Sequence, residues 1–193
     1  GGEATRVFNN KVYDNNTPNF APEGNIVGTV PGGTGIMVLA NDDIEIFGNE
    51  ITNNGSAALL IVSYYITDGN ISKATYDPVP EKIYFHNNIL SGNSQAPQDL
   101  AQTISSFVFG TPEMVDVFYD SGGIGTDEGL LLEFPNGLPE DRRICVRDNG
   151  DDTTFGTLNS SVLLGFISGD AAISKDPAPF ECSHPSLPEI VLD

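Results

Sequence analysis

Along residues 44–55 the apolar positions fall on Ile44, Ile46, Phe47 and Ile51, with Glu45 between the first two, Gly48 and Asn49 at a break, and Asn53, Asn54 and Gly55 at the end. β-Branched residues alternating with a charge predict a short strand. The Gly-Asn pair predicts a bend, and Ile51 opens a second strand. This unit occurs three times. Val7, Asn10, Val12 and Asn15 match Ile46, Asn49, Ile51 and Asn54, and these match Phe85, Asn88, Leu90 and Asn93.

The interval is 39 residues both times, yet the strand leading into each unit is out of step with it. Ile36, in the strand from Gly35 to Val38, lies eight residues before Ile44, whereas the apolar run from Leu59 to Val62 lies more than twenty before Ile83. The equal totals therefore come from two different insertions, residues 17–34 and 64–81. Without them the repeat is about 22 to 24 residues, with three short strands and an Asn at the bend. That predicts an all-β chain folded as a right-handed parallel β-helix, a solenoid whose coils stack like residues into columns. Val7, Ile46 and Phe85 are expected in one core column, and Asn10, Asn49 and Asn88 in a ladder at one corner. Asn suits the corner because it tolerates left-handed backbone angles and its amide can bond to the amide one coil away.

The rest of the chain extends the pattern and then loses it. Residues 94–102 read as a polar loop. Phe107 precedes Val115 by eight residues, as Ile36 precedes Ile44, so Val115 to Val117 is expected to open a fourth coil with Asp120 in the Asn column. Leu130 to Leu132 and Ile144 to Val146 read as strands, Asp148 to Asp152 as a turn, and Val162 to Ile167 as a last apolar run. Residues 1–125 are thus expected to form coils with inserted loops, and 126–193 degenerate final coils with an irregular, Pro-rich C-terminal cap. Only residues 1–5 precede the first coil, so further coils or a second chain are expected to cover that end.

Composition agrees with many short strands: 193 residues hold 21 Gly, 13 Pro and no Trp. The 27 acidic against 8 basic residues give a formal charge of −19, which argues against nucleic acid and anionic membranes as partners. No apolar stretch reads as a membrane span or signal peptide. Cys145 and Cys182 lack a CxxC context, so zinc-knuckle and covalent haem chemistry are not indicated. They are expected to pair as a disulfide, and with the repeat class this points to export, periplasmic or extracellular.

The Asn-x-Ile units, then Arg143 to Gly150, then Ala178 to Cys182 with Pro185, Leu187 and Pro188, resemble a family of bacterial exported parallel β-helix proteins. Members of that family tend to be encoded beside a di-haem c-type cytochrome, and their biochemical role is not established. The resemblance implies a C-terminal portion of such a protein, working with a c-type cytochrome partner.

Candidate chemistry is sparse. The second insertion holds Tyr64, Tyr65, Asp68, Lys73 and Tyr76, a candidate ligand-binding set, because loops on such scaffolds carry function. His86 is expected to be outward and solvated, and His184 lies in the tail. Pectate-lyase-like enzymes use carboxylates for Ca²⁺ and an Arg or Lys base. Asp148, Asp151 and Asp152, near Arg142, Arg143 and Arg147, are candidate calcium ligands, although the same residues suit an ordinary tight turn. No cofactor other than calcium is suggested. The expected function is an exported binding or scaffold module. The alternatives are a polysaccharide-acting lyase or epimerase and a structural piece of a larger assembly. A groove lined by clustered cations and carboxylates favours an enzyme, and a flat or apolar one favours a scaffold.

Overall fold

The computed structural model describes residues 2–22, 24–64, 76–120, 138–158 and 173–189. Its strands, in chain order, are β1 (Thr5–Phe8), β2 (Lys11–Tyr13), β3 (Thr34–Leu39), β4 (Ile44–Phe47), β5 (Glu50–Thr52) and β6 (Ala57–Val62). Then follow β7 (Ile83–His86), β8 (Ile89–Ser91), β9 (Val117–Tyr119), β10 (Cys145–Arg147), β11 (Phe155–Leu158) and β12 (Ile173–Ser174). They form three sheets. The first has the order β1-β4-β7-β10, the second β2-β5-β8, and the third β3-β6-β9-β11 with β12 at its edge. All pairs are parallel except β11 with β12. Up to β10 the chain visits the three sheets in the same cyclic order, and one visit to each makes a layer.

Register follows the repeat. Val7 pairs with Ile46, Ile46 with Phe85, and Phe85 with Val146. These side chains point into a core shared by all three sheets, with Ile51 from the second and Leu59, Ile61, Val117 and Tyr119 from the third. Alternation sends their neighbours outward. The outer face of the first sheet therefore carries two rows, Arg6-Glu45-Tyr84-Cys145 and Phe8-Phe47-His86-Arg147. In the second row the rings of Phe8 and Phe47 stack at 5.2 Å and those of Phe47 and His86 at 5.4 Å.

The Asn ladder forms and gains a fourth member. Asn10 Nδ2 donates to Asn49 Oδ1 at 2.9 Å, Asn49 to Asn88 at 3.0 Å, and Asn88 to Asn149 at 2.9 Å. A second ladder runs from Asn15 to Asn54 to Asn93 at 2.9 and 3.1 Å. Left-handed backbone belongs to the residue before each ladder Asn: Asn9, Gly48, Asn87 and Asp148 have φ between 52° and 63°. The two properties expected of one Asn are thus divided between neighbours. The first takes the turn, and the second bonds along the column.

The fourth strand of the first sheet is β10, not the expected Val115 to Val117. Val117 stands in the third sheet opposite Leu59, Phe107 lies exposed in a helical segment, and Asp120 is outside the Asn column, accepting from Ser63 N and Oγ. The reason is polarity. First-sheet strands alternate core residues with outward side chains such as Arg6, Glu45 and Tyr84. The run from Val117 to Tyr119 is apolar throughout, and the third sheet is the one buried on both faces. Its outer face packs Leu60, Phe118 and Leu158 against Ile104, Met114 and Val115.

That outer cover contains a correction to the loop reading of 94–102. Helix α1 (Asp99–Thr103) begins inside it and continues as one π-helical stretch, Ile104–Phe109. Ala101 and Ile104, three positions apart, are buried on the face toward the sheet.

At the far end Phe180 is fully buried, with its ring 4.5 Å from Phe155 and 6.0 Å from Tyr119. Cys182, two residues on, is bonded to Cys145 with Cα atoms 4.9 Å apart. The strands expected at Leu130 to Leu132 and in Val162 to Ile167 lie outside the described residues.

Asn49 is almost fully buried, and its amide donates to Val7 O, Phe47 O and Asn88 Oδ1 while accepting from Asn10. Asn49→Ala should cost roughly 2 to 4 kcal/mol because several buried groups lose partners at once. Asn10→Ala, at the exposed end of the ladder, should cost less than half of that. Equal denaturant midpoints for the two variants would show that the ladder does not carry this stability.

The disulfide closes a sequence separation of 37 residues. In the chain-entropy model its loss costs roughly 3 to 4 kcal/mol. Cys182→Ser should lower the urea midpoint accordingly, and thiol titration of the denatured, unreduced chain should find no thiol.

Candidate functional site

The turns that lead into β4, β7 and β10 bring charged residues from three layers to one corner between the third and first sheets. Asp43 and Lys82 take left-handed backbone there, with φ of 56° and 53°. Asp43 N donates to Glu81 O, and Lys82 N donates to Arg142 O. Asp42 and Glu81 are 39 residues apart, as are Asp43 and Lys82, so the columns of the strands continue into the turn. The resulting cleft, about 590 Å³, is lined by five carboxylates (Asp42, Asp43, Asp77, Glu81 and Asp141) and by Lys82, Arg142 and His184.

Each cation lies against an acid. Lys82 Nζ is 2.7 Å from Asp43 Oδ1, and an Arg142 guanidinium nitrogen is 3.2 Å from Glu81 Oε2. Asp42 Oδ1 accepts from Glu81 N at 2.9 Å. Burial pushes the Asp42 carboxyl above the usual carboxylate range; the Glu81 amide pulls it down, and the Asp77 charge adds to the rise. Burial likewise raises Glu81 against the pull of Arg142, again with help from Asp77. Carboxyls raised by burial and by neighbouring acids in a cleft are candidates for function, although ion-pair networks shift such groups too.

Two members of the expected ligand set border this region. Tyr64 and Tyr76 meet edge to face at 5.4 Å. Burial raises the Tyr76 phenol, with Tyr64, Asp42 and Asp77 adding to the effect, which sets it beside the corner acids. Tyr65, Asp68 and Lys73 lie outside the described residues. Sequence reasoning missed Asp42, Asp77 and Glu81, although the 39-residue column joining Asp42 to Glu81 was a usable signal.

No family model, characterised protein or solved structure matches this chain. Its geometry alone must carry any functional reading.

The calcium candidates do not form one group. Asp148 Oδ2 is 2.7 Å from Arg147 Nε, whereas Asp151 and Asp152 line a separate cleft beside β8. Among the described residues, no three His, Cys, Asp or Glu side chains are grouped to hold a metal ion. Asn149, missed in the sequence, follows Val146 by three residues, the interval that joins Val7 to Asn10.

His86 is buried rather than solvated, because the C-terminal tail covers the first sheet's outer face. Leu187 N donates to Glu45 Oε2 at 3.0 Å, and His184 Nε2 donates to Arg143 O at 2.7 Å. Beneath this tail Glu45, 2% exposed, also meets Arg6 at 3.2 Å and His86 at 3.3 Å. Tyr84 stacks on His86 at 3.8 Å. These neighbours account for the ring without a catalytic role. No helix among the described residues is long and apolar enough to cross a membrane.

Asp42 and Glu81 have raised pKa values in the folded chain, above ordinary values of 3.8 and 4.5. Their protonated forms therefore favour folding below the unfolded values, and that contribution is lost as pH rises through the raised ones. Glu81→Gln imitates the protonated acid. Its thermal midpoint should match the parent's near pH 3.5 and exceed it at pH 7. A lower midpoint at pH 7 would mean that the Arg142 pair outweighs burial.

Proposed function

We propose that the three sheets form a right-handed parallel β-helix and that the chain is an exported module which binds a ligand in the corner cleft. The observation that carries this reading is the convergence of Asp42, Glu81 and Arg142, held by stacked turns, with Asp77 in an open cleft beside Tyr76. Rigid elements hold binding groups more accurately than loops do. The disulfide is compatible with export.

The charge balance favours some ligands over others. Five carboxylates against two paired cations repel a polyuronate and favour a neutral or cationic polyhydroxyl chain, so carbohydrate binding is the form of recognition we favour. A c-type cytochrome, the partner implied by resemblance, would need a basic face to meet a chain of charge −19.

One observation favours the alternative of a polysaccharide-acting enzyme: burial raises the pKa of both Asp42 and Glu81, the direction that suits a general acid. Against a lyase or epimerase, the cleft's two candidate bases, Lys82 and Arg142, are both engaged with carboxylates.

Affinity electrophoresis through gels containing chitosan, a neutral glucan or polygalacturonate tests these readings. The chain should be retarded by chitosan or the glucan and not by polygalacturonate, and Asp42→Asn with Glu81→Gln should reduce the retardation severalfold. Release of unsaturated product from polygalacturonate, followed by its ultraviolet absorbance, would instead establish the lyase.

A further inference from the structure

The second sheet stops one strand short of its neighbours. The first sheet continues past β7 to β10 and the third past β9 to β11, but among the described residues β8 is the last strand of the second. The cause is chain length in the fourth layer. Ten residues separate Asn49 from Leu59, whereas six separate Asn149 from Phe155, although Leu59 and Phe155 both align on Val117. The shorter link turns at Gly150 (φ 103°) and is held to the third layer by Thr154 N and Oγ1 donating to Asp116 Oδ2. It cuts the corner where a further second-sheet strand would lie.

The omission leaves a cleft of about 420 Å³ along β8. One wall is Leu90 to Gln95 and the other Asn149 to Thr154. Ile89 N donates to Asn49 O, and Ser91 O accepts from Asn53 N. In a parallel ladder the residue between them faces the opposite way, so the N–H and C=O of Leu90 are turned from β5 toward the cleft. The lining also holds Glu113, Asp116, Asp151 and Asp152, and no Lys or Arg.

We infer that this cleft docks an extended segment of another protein that carries Lys or Arg at alternate positions and adds a fourth strand to the second sheet. The backbone edge supplies hydrogen bonds that any extended chain can take, and the acids supply the selection. Charge argues against the chain's own segments. Outside the described residues, 121–137 and 159–172 contain acids and no Lys or Arg, 65–75 holds a single Lys and one Asp and so offers no alternating cations, and a second copy would bring another net charge of −19. Of the chain's eight Lys and Arg, six are engaged elsewhere, the Arg143 Nε is buried, and Lys73 lies outside the described residues. Arg6, Lys11, Lys82, Arg142 and Arg147 are in ion pairs, and Lys175 lies over the Phe109 ring.

Fluorescence anisotropy with a labelled five-residue peptide of alternating lysine and valine tests this inference on the intact chain. The peptide should bind with an affinity that falls as salt rises, and its glutamate-for-lysine counterpart should not bind. N-methylation of alternate backbone amides should weaken binding by about tenfold or more, since it removes strand hydrogen bonds and leaves the charge. The exposed pair Asp151→Asn with Asp152→Asn should weaken it severalfold, and Asp14→Asn, at the other end of the sheets, should leave it unchanged. Equal binding of the N-methylated peptide would reduce the effect to diffuse charge and overturn the strand assignment. So would absence of binding, or saturation of the same aspartates by calcium chloride with no peptide bound.

Discussion

The amide-to-amide hydrogen bond between corner asparagines is the contact on which the other features rest. The strands are two to six residues long, too short to fix their own register by backbone bonds alone. Each ladder Asn bonds both the side chain and the backbone N–H of its counterpart, as Asn49 Oδ1 does with Asn10 Nδ2 and N. A slip of one residue would break these bonds and turn Ile46 and Phe85 out of the core together. The column thus makes each layer's position depend on the next. It also satisfies polar groups that burial would otherwise leave without partners.

Much of this order was legible in the sequence because it is periodic. The columns of Val7, Ile46 and Phe85 and of Asn10, Asn49 and Asn88 needed only an interval and residue types. What failed was the reading of places where two cues compete. The interval from Phe107 to Val115 copied that from Ile36 to Ile44, yet the run after Val115 lacks the alternating polarity of a first-sheet strand and belongs where both faces are covered. His86 had an outward position in the pattern, but its burial depends on Leu187, about a hundred residues later. The corner cleft was missed for a related reason. Asp42, Asp77 and Glu81 look like turn residues one at a time, and their interaction arises from stacking of layers rather than from adjacency in the chain.

The two faces of the structure have different fates. The third sheet is closed on its outside by α1 and the π-helical stretch, so its strands can be apolar throughout. The first sheet keeps polar and aromatic side chains outside, and the tail that runs past Cys182 to Leu187 lies over them. The two clefts described above therefore lie not on a sheet face but at a corner and at an edge. That is where acids with shifted proton affinity, and backbone groups facing open space, are found.

The rings of Phe8, Phe47 and His86 have one more implication. Because they are stacked face to face along the hydrogen-bonding direction, each internal ring presents only its rim to the surroundings. A sugar or nucleobase needs a ring face to lie on. This row, although aromatic and on an outer surface, is thus closed to planar ligands along its length, and at its terminal Phe8 the Arg6 guanidinium lies 5.1 Å from the ring centre. Adhesion to that row is directional: it can proceed from the end of the stack, as a further layer would, and not from the side.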